Sequence, residues 1–223
     1  MYMEGMGIEK SLSKAVELFK YAANQGYAQA QFNLGLLYAQ GSGVEQSTTQ
    51  SVKWYKLSAE QNNPNAQRNL GTLYANGVDV VQSWNKAQMF YKQAAEQDDG
   101  IAQFNLGLMY LRGNGIEQSD AKALALFESA TNNENAEAYT FMGIMYELGR
   151  SVPQSYSQAF EWYIKGNKAG DNDGTVALAS LYVRGLGTKK NTAKGIELYK
   201  EAASKGDKGA QEVLKKNGLS SII

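Results

Sequence analysis

Tyrosine returns with a stride of 36 residues, at Tyr2, Tyr38, Tyr74, Tyr110, Tyr146 and Tyr182, and glycine follows each time at Gly5, Gly41, Gly77, Gly113, Gly149 and Gly185. No insertion or deletion breaks the count. A fixed period of this length marks a repeat array, in which each unit packs on its neighbours. The stride divides the chain as one array over 1–223. It holds a partial repeat 1–27, full repeats 28–63, 64–99, 100–135, 136–171 and 172–207, and a polar, lysine-bearing capping helix at 208–217. Met1 and Tyr2 stand where the end of a helix belongs, so the array is expected to begin before Met1.

Residues 28–63 show why each unit folds. In AQAQFNLGLLYAQG, Ala30, Leu34, Leu37 and Tyr38 fall at helical spacing on one face. Gly41 ends that helix, and Gly41-Ser42-Gly43 makes the loop. A second segment, about Ser47 to Gln61, places Val52, Trp54, Tyr55 and Ala59 on another helical face, and Asn62-Asn63-Pro64 closes the unit. Each repeat is thus read as a hairpin of helix A and helix B, and the fold class as all-α. Gly35, Gly71, Gly107 and Gly143 recur in mid-helix A, with Ala179 in the fifth copy. A mid-helix glycine costs about 1 kcal/mol relative to alanine, so its return at one register implies close approach by helix B. Small residues at Ala22, Ser58, Ala94, Ala130, Gly166 and Ala202 do the same from the other side. Leu18, Trp54, Phe90, Leu126, Trp162 and Leu198, with Phe19, Tyr55, Tyr91, Phe127, Tyr163 and Tyr199, supply the bulk.

Composition narrows the chemistry. The chain has no cysteine and no histidine, which excludes disulfides, thiolate nucleophiles and every triad or metal site built on imidazole. Lys plus Arg and Asp plus Glu balance at 22 each. No polybasic stripe recommends a nucleic acid partner, and no apolar run reaches the roughly 20 residues of a membrane helix. Charge is uneven locally: residues 117–173 carry nine acidic and four basic side chains, residues 174–223 nine basic and four acidic. This is read as a solvated surface or as a polarity that orients a charged partner. Asp171-Asn172-Asp173-Gly174 has the flavour of a calcium loop, but its first and twelfth places would be Ala169 and Ser180, so it is read as an inter-repeat turn. Glu137 and Asp173 occupy equivalent sites in adjacent repeats, the arrangement of a carboxylate pair that acts on glycans, yet nothing else suggests a pocket. No catalytic residue, metal or cofactor is assigned.

The pattern A-x-x-x-L-G-x-x-Y-x-x-G-x-G followed by K-A-x-x-W/F-Y-x-x-A-A resembles the Sel-1-like repeats, relatives of the tetratricopeptide repeats. It is carried by Ala30, Leu34, Gly35, Tyr38, Gly41 and Gly43, then Trp54, Tyr55 and Ala59. Two copies depart, with Asp79 and Ser151 in place of the second loop glycine; their loops are expected to differ while the hairpins survive. The resemblance implies a right-handed α-solenoid that works as a non-catalytic protein–protein interaction scaffold or adaptor. It also implies a bacterial setting, periplasmic or secreted, with the cytoplasm left open. Some members resemble immunity proteins that occlude a toxin or enzyme, which gives a second reading.

In the related tetratricopeptide fold, helix A lines a concave binding face. By that resemblance, Phe32, Leu36, Ile101, Phe104, Leu108, Leu111 and Ile144 are candidates for an apolar groove that takes a protein or peptide ligand; inter-repeat packing is the other reading of the same positions. Asn33, Asn69 and Asn105 are candidates to hydrogen-bond an extended backbone, because an amide offers donor and acceptor together. The alternative is a bond between hairpins. Phe141 and Ala177 end that ladder after the third copy. Arg68 and Arg112 are candidates to receive a partner's carboxylate.

Overall fold

The structure is a computed structural model and describes residues 12–218. Tyr2 and Gly5, which open the stride, lie outside the described residues. Among the described residues the chain is twelve α-helices: α1 (Leu12–Asn24), α2 (Ala28–Gln40), α3 (Thr48–Glu60), α4 (Pro64–Asn76), α5 (Trp84–Ala95), α6 (Gly100–Arg112), α7 (Asp120–Asn132), α8 (Ala136–Leu148), α9 (Tyr156–Lys168), α10 (Asn172–Arg184), α11 (Thr192–Ser204) and α12 (Lys208–Lys216). Even-numbered helices up to α10 are A helices and odd-numbered ones are B helices. The all-α hairpin repeat expected from the stride is thus what forms.

The described residues fall into two compact units. The first runs to Met109 and includes Gly113–Glu117; the second takes Tyr110–Arg112 and continues from Gln118. In the first, α2 pairs with α3 and α4 with α5, while α1 packs on α2 and α3 on α4. In the second, α8 pairs with α9 and α10 with α11; α7 packs on α8, α9 on α10, and α12 closes on α11.

The glycine of helix A admits an aromatic ring from helix B. A Cβ on Gly35 would sit 2.6 Å from the Tyr55 ring, and one on Gly71 would sit 2.6 Å from the Tyr91 ring. Gly143 stands in the same relation to Tyr163. These tyrosines are buried, and the hydroxyls of Tyr91 and Tyr163 bond side chains of the helix A that each ring crosses. Tyr91 donates to Thr72 Oγ1 at 3.1 Å and Tyr163 to Glu147 Oε2 at 2.7 Å. The fifth copy reverses the roles. Ala179 replaces the helix A glycine, and Gly195 stands on helix B where other copies have Ser51, Ala87, Ala123 or Ala159; a Cβ on Gly195 would lie 2.9 Å from the Ala179 carbonyl oxygen. One Cβ is missing from each of these crossings, on one helix or the other.

A second periodic device joins consecutive repeats. Gln31, Gln67 and Gln103 are buried, and each Nε2 donates to a carbonyl eight residues earlier: Ala23, Ala59 and Ala95. In the second unit Tyr139 donates to the Thr131 carbonyl and Gln211 to that of Ala203. Gln61 donates in turn to Gln31 Oε1, and Gln97 to Gln67 Oε1, both at 2.8 Å; Gln97 also reaches Asn62 across 35 residues. A carbonyl freed at the end of α1, α3, α5, α7 and α11 is satisfied by the next A helix or by α12, as buried polar groups must be. This spine is absent from the apolar pattern, although its glutamines keep the same stride.

The loops are just as regular. Gly41, Gly77, Gly113, Gly149 and Gly185 hold φ between 66° and 70° at the end of helix A, the left-handed cap that suits glycine. Gln46, Gln82, Gln118 and Gln154 staple the loops to the carbonyls of Ala39, Ala75, Leu111 and Glu147. Ser47, Ser83, Ser119, Ser155 and Asn191 cap the B helices by accepting from the amide three residues on. The two copies expected to differ do not. Asp79 (φ 51°) and Ser151 (φ 58°) take the left-handed backbone that Gly43, Gly115 and Gly187 hold at 66° to 72°, so the loop survives at the cost of local strain.

Two stability changes follow from the helix crossings. Gly71→Ala forces the buried Tyr91 ring aside and should lower stability by about 1–3 kcal/mol, despite alanine's better helix propensity; urea denaturation checks it, and an unchanged midpoint would refute the ring-admission account. The Ser51 hydroxyl is buried with no hydrogen-bond partner among the described residues, and its counterparts Ala87, Ala123 and Ala159 carry no hydroxyl. Ser51→Ala should therefore raise stability by about 1 kcal/mol, read from the same denaturation curves.

Candidate functional site

Twelve positions were expected on the binding face of the A helices, and the structure divides them in half. Six belong to the first unit and keep surface. Asn33, Leu36, Asn69, Asn105 and Leu108 are half-buried, and Ile101 is 48% exposed. On α2, α4 and α6 the asparagine and the residue three places on share one helical face, so Asn33 with Leu36, Asn69 with Thr72, and Asn105 with Leu108 line up from helix to helix. The helices are tied together at this edge: Asn63, the N-cap of α4, donates to Gln29 Oε1 on α2, and Arg68 on α4 donates to Asp99, the N-cap of α6.

The amides of the row are not equally occupied. Asn33 Oδ1 accepts from Gln29 Nε2 at 3.1 Å. The amides of Asn69 and Asn105 have no hydrogen-bond partner among the described residues. The inter-hairpin bond considered for this row therefore does not form at those two positions.

The other six positions are used differently. Phe104 and Leu111 are buried, at 9% and 8% exposure, and offer a partner little surface. Phe32 stacks on Tyr55 with ring centroids 5.8 Å apart. Arg68 is committed: its guanidinium makes an ion pair with Asp99 at 2.6 Å and a hydrogen bond to Asn65 at 3.0 Å. The reason is register. The row of Phe32, Arg68, Phe104, Thr140 and Val176 turns toward the next A helix rather than outward, as Arg68 to Asp99 and Thr140 to Asp171 show. Leu111 sits under the returning loop, whose Gln118 bonds its carbonyl at 2.9 Å. Ile144 packs against the core of the second unit, and Arg112 is exposed at the end of α6.

On the second unit Phe141 and Ala177 stand at the asparagine position, and a charged residue, Glu147, lies near the end of α8. Glu147 accepts from Tyr163 and lies 3.7 Å from Arg184. Burial pushes the Tyr163 phenol well up, and the hydrogen bond to Glu147 and its charge add to the shift. Asp171 caps α10 by accepting from the Gly174 amide at 2.9 Å, the turn expected for Asp171–Gly174. Among the described residues no group of three carboxylates is placed to hold a metal ion, and no helix is long and apolar enough to cross a membrane.

The description Sel1 repeat matches this chain over residues 1–27, 28–63, 64–99, 100–135, 136–171 and 173–207. Among curated proteins none matches significantly. Of solved structures, a Sel1 repeat protein from Oxalobacter formigenes is 33% identical with a TM-score of 0.86, covering 92% of this chain and 84% of its own. A protective antigen of uropathogenic Escherichia coli that displays an SLR fold is 32% identical with a TM-score of 0.70; the match covers 96% of this chain but 54% of that one. An immunity protein from Pseudomonas aeruginosa is 22% identical with a TM-score of 0.55, covering 91% of this chain and 78% of its own, a likeness of fold alone.

Glu137 and Asp173, the carboxylate pair in equivalent repeats, are both exposed on the first turns of α8 and α10. The Asp173 carboxyl is raised above the usual carboxylate range, first by partial burial, then by the charges of Asp171, Asp207 and Glu137. A carboxyl raised in the fold subtracts stability once it is ionised, at pH above its folded value, and subtracts nothing below its unfolded value. Asp173→Asn should therefore raise the melting temperature at neutral pH. The gain should shrink as pH falls through the carboxylate range and as salt screens the cluster; a gain of equal size at pH 3 would contradict the electrostatic origin.

Proposed function

The chain belongs to the Sel1 repeat family, and on that premise we propose that it is a non-catalytic scaffold that binds an extended protein or peptide segment along the α2–α4–α6 face of its first unit. The reading is carried by the amides of Asn69 and Asn105, which are half-buried and have no partner among the described residues. A half-buried amide with its donor and acceptor unused is suited to a peptide group, which presents one N–H and one C=O. Adjacent packed helices stand about 8–10 Å apart, and an extended chain advances about 3.3 Å per residue. Successive asparagines would therefore meet about every third residue of the ligand. Leu36, Ile101 and Leu108 supply apolar contact between these bonds, while Thr72 interrupts the apolar row at its middle. Phe104, Phe32 and Arg68 support this face from beneath or from the side, and neither they nor the buried Leu111 are contact residues in this reading.

An inhibitory role, as the name of the Pseudomonas immunity protein suggests for that protein, is a narrower version of the same reading. It would draw on the unequal charge of residues 117–173 and 174–223, and association would then slow steeply with salt. The main-chain reading predicts little salt dependence.

The test is selection of peptides on the full chain from a displayed random library, followed by titration against variants. Asn69→Ala with Asn105→Ala should weaken the selected peptides by about tenfold or more, two lost hydrogen bonds at about 1 kcal/mol each, and leave the melting temperature unchanged. Leu108→Ala should weaken them further. Peptides that bind the double variant as well as the parent would remove this face from the mechanism.

A further inference from the structure

We propose that the first unit carries a second surface, around the loop between α4 and α5, through which two copies of this chain associate. The surface originates in the departure from the repeat that the second copy shows. The loops after α2, α6 and α10 come down on the start of the preceding B helix through Gly43, Gly115 and Gly187, while Ser151 stands at the same place after α8. A Cβ on Gly43 would lie 3.0 Å from Leu12, and one on Gly115 would fall inside contact distance of the Trp84 side chain. The corresponding residue here is Asp79, a side chain held at positive φ. A cavity of about 460 Å³ lies between this loop and α3.

Its composition says what fits it. Val52, Leu57 and Val80 form an apolar lining. Lys53, Lys56, Glu60 and Asp79 stand around them, and none of the four is in an ion pair among the described residues. Beside the cavity Val81 projects with 89% of its surface exposed, and Val78 and Met89 are also exposed, at 49% and 46%. The patch thus holds a hollow and a projection of the same apolar character, and equal numbers of positive and negative charges outside any ion pair among the described residues, with the Lys53 ammonium 5.5 Å from the Trp54 ring centroid. A small ligand of one charge would meet as many repelling as attracting groups. A two-fold contact has no such conflict, because it brings each residue of a patch against the other residues of the same patch. Val81 of each copy enters the hollow of the other, and lysines of each meet carboxylates of the other.

Sedimentation velocity of the full chain over a concentration series tests this. The parent should pass from monomer to dimer, and Val81→Asp should weaken the dimer by about tenfold or more. Lys53→Glu with Lys56→Glu makes the rim wholly acidic, and Glu60→Lys with Asp79→Asn makes it wholly basic. Each of these variants should stay monomeric alone, and the two should form a heterodimer when mixed. All the substituted side chains lie on the surface, and circular dichroism melting verifies that each variant is folded. A parent that remains monomeric throughout, a dimer untouched by Val81→Asp, or a mixture that stays monomeric overturns the proposal.

Discussion

The packing of the α2–α3, α4–α5, α8–α9 and α10–α11 hairpins depends on a missing methyl group. The aromatic ring of helix B needs the space where helix A would carry a Cβ, and Gly35, Gly71 and Gly143 leave that space open for Tyr55, Tyr91 and Tyr163. The crossing sets the separation of the two helices, and with it the position of the helix A face that points outward. The fifth copy shows that the constraint concerns the crossing rather than a residue: Ala179 restores the methyl on one helix and Gly195 removes it from the other. Because the ring lies over the glycine, its hydroxyl reaches a neighbouring side chain of the same helix A, Thr72 in one copy and Glu147 in another. Core packing and surface chemistry are therefore set by the same contact.

The joints between hairpins follow a different rule. Their contribution is polar and satisfied, and in the first unit it comes from glutamine. A buried amide without a partner is costly, so Gln31, Gln67 and Gln103 admit one orientation of the next repeat, in which the carbonyls of Ala23, Ala59 and Ala95 are met. Apolar contacts between hairpins tolerate sliding; these bonds do not.

The hairpins, their loops and the role of the mid-helix glycine were all legible in the stride, because glycine and aromatic residues at fixed register have few other uses. The glutamine spine kept the same stride and escaped notice because glutamine on a helix normally faces water. The binding face was legible only in part. An A helix in an array has two covered flanks, and a helical wheel cannot tell the side facing the next repeat from the side facing out. That is why Arg68 was expected to greet a partner's carboxylate and is instead occupied by Asp99, and why Phe104 and Leu111 turned out buried while Asn69 and Asn105 kept their amides open. Nor did the sequence foretell that Asp79 and Ser151 would accept a glycine's backbone angle; the surrounding staples hold the loop whichever residue occupies it.

The short reach of the joints has a consequence for how such a molecule changes over time. The glutamine bonds that tie one hairpin to the next among the described residues reach across 8 to 35 residues, less than one stride. No hairpin is therefore anchored to a distant part of the chain by them. A duplication or loss of 36 codons would hand each surviving joint a neighbour of the kind it already had. Array length is thus free to drift by recombination while the local geometry stays the same, and a surface spread over three A helices can be lengthened, shortened or copied without redesigning the hairpins that bear it.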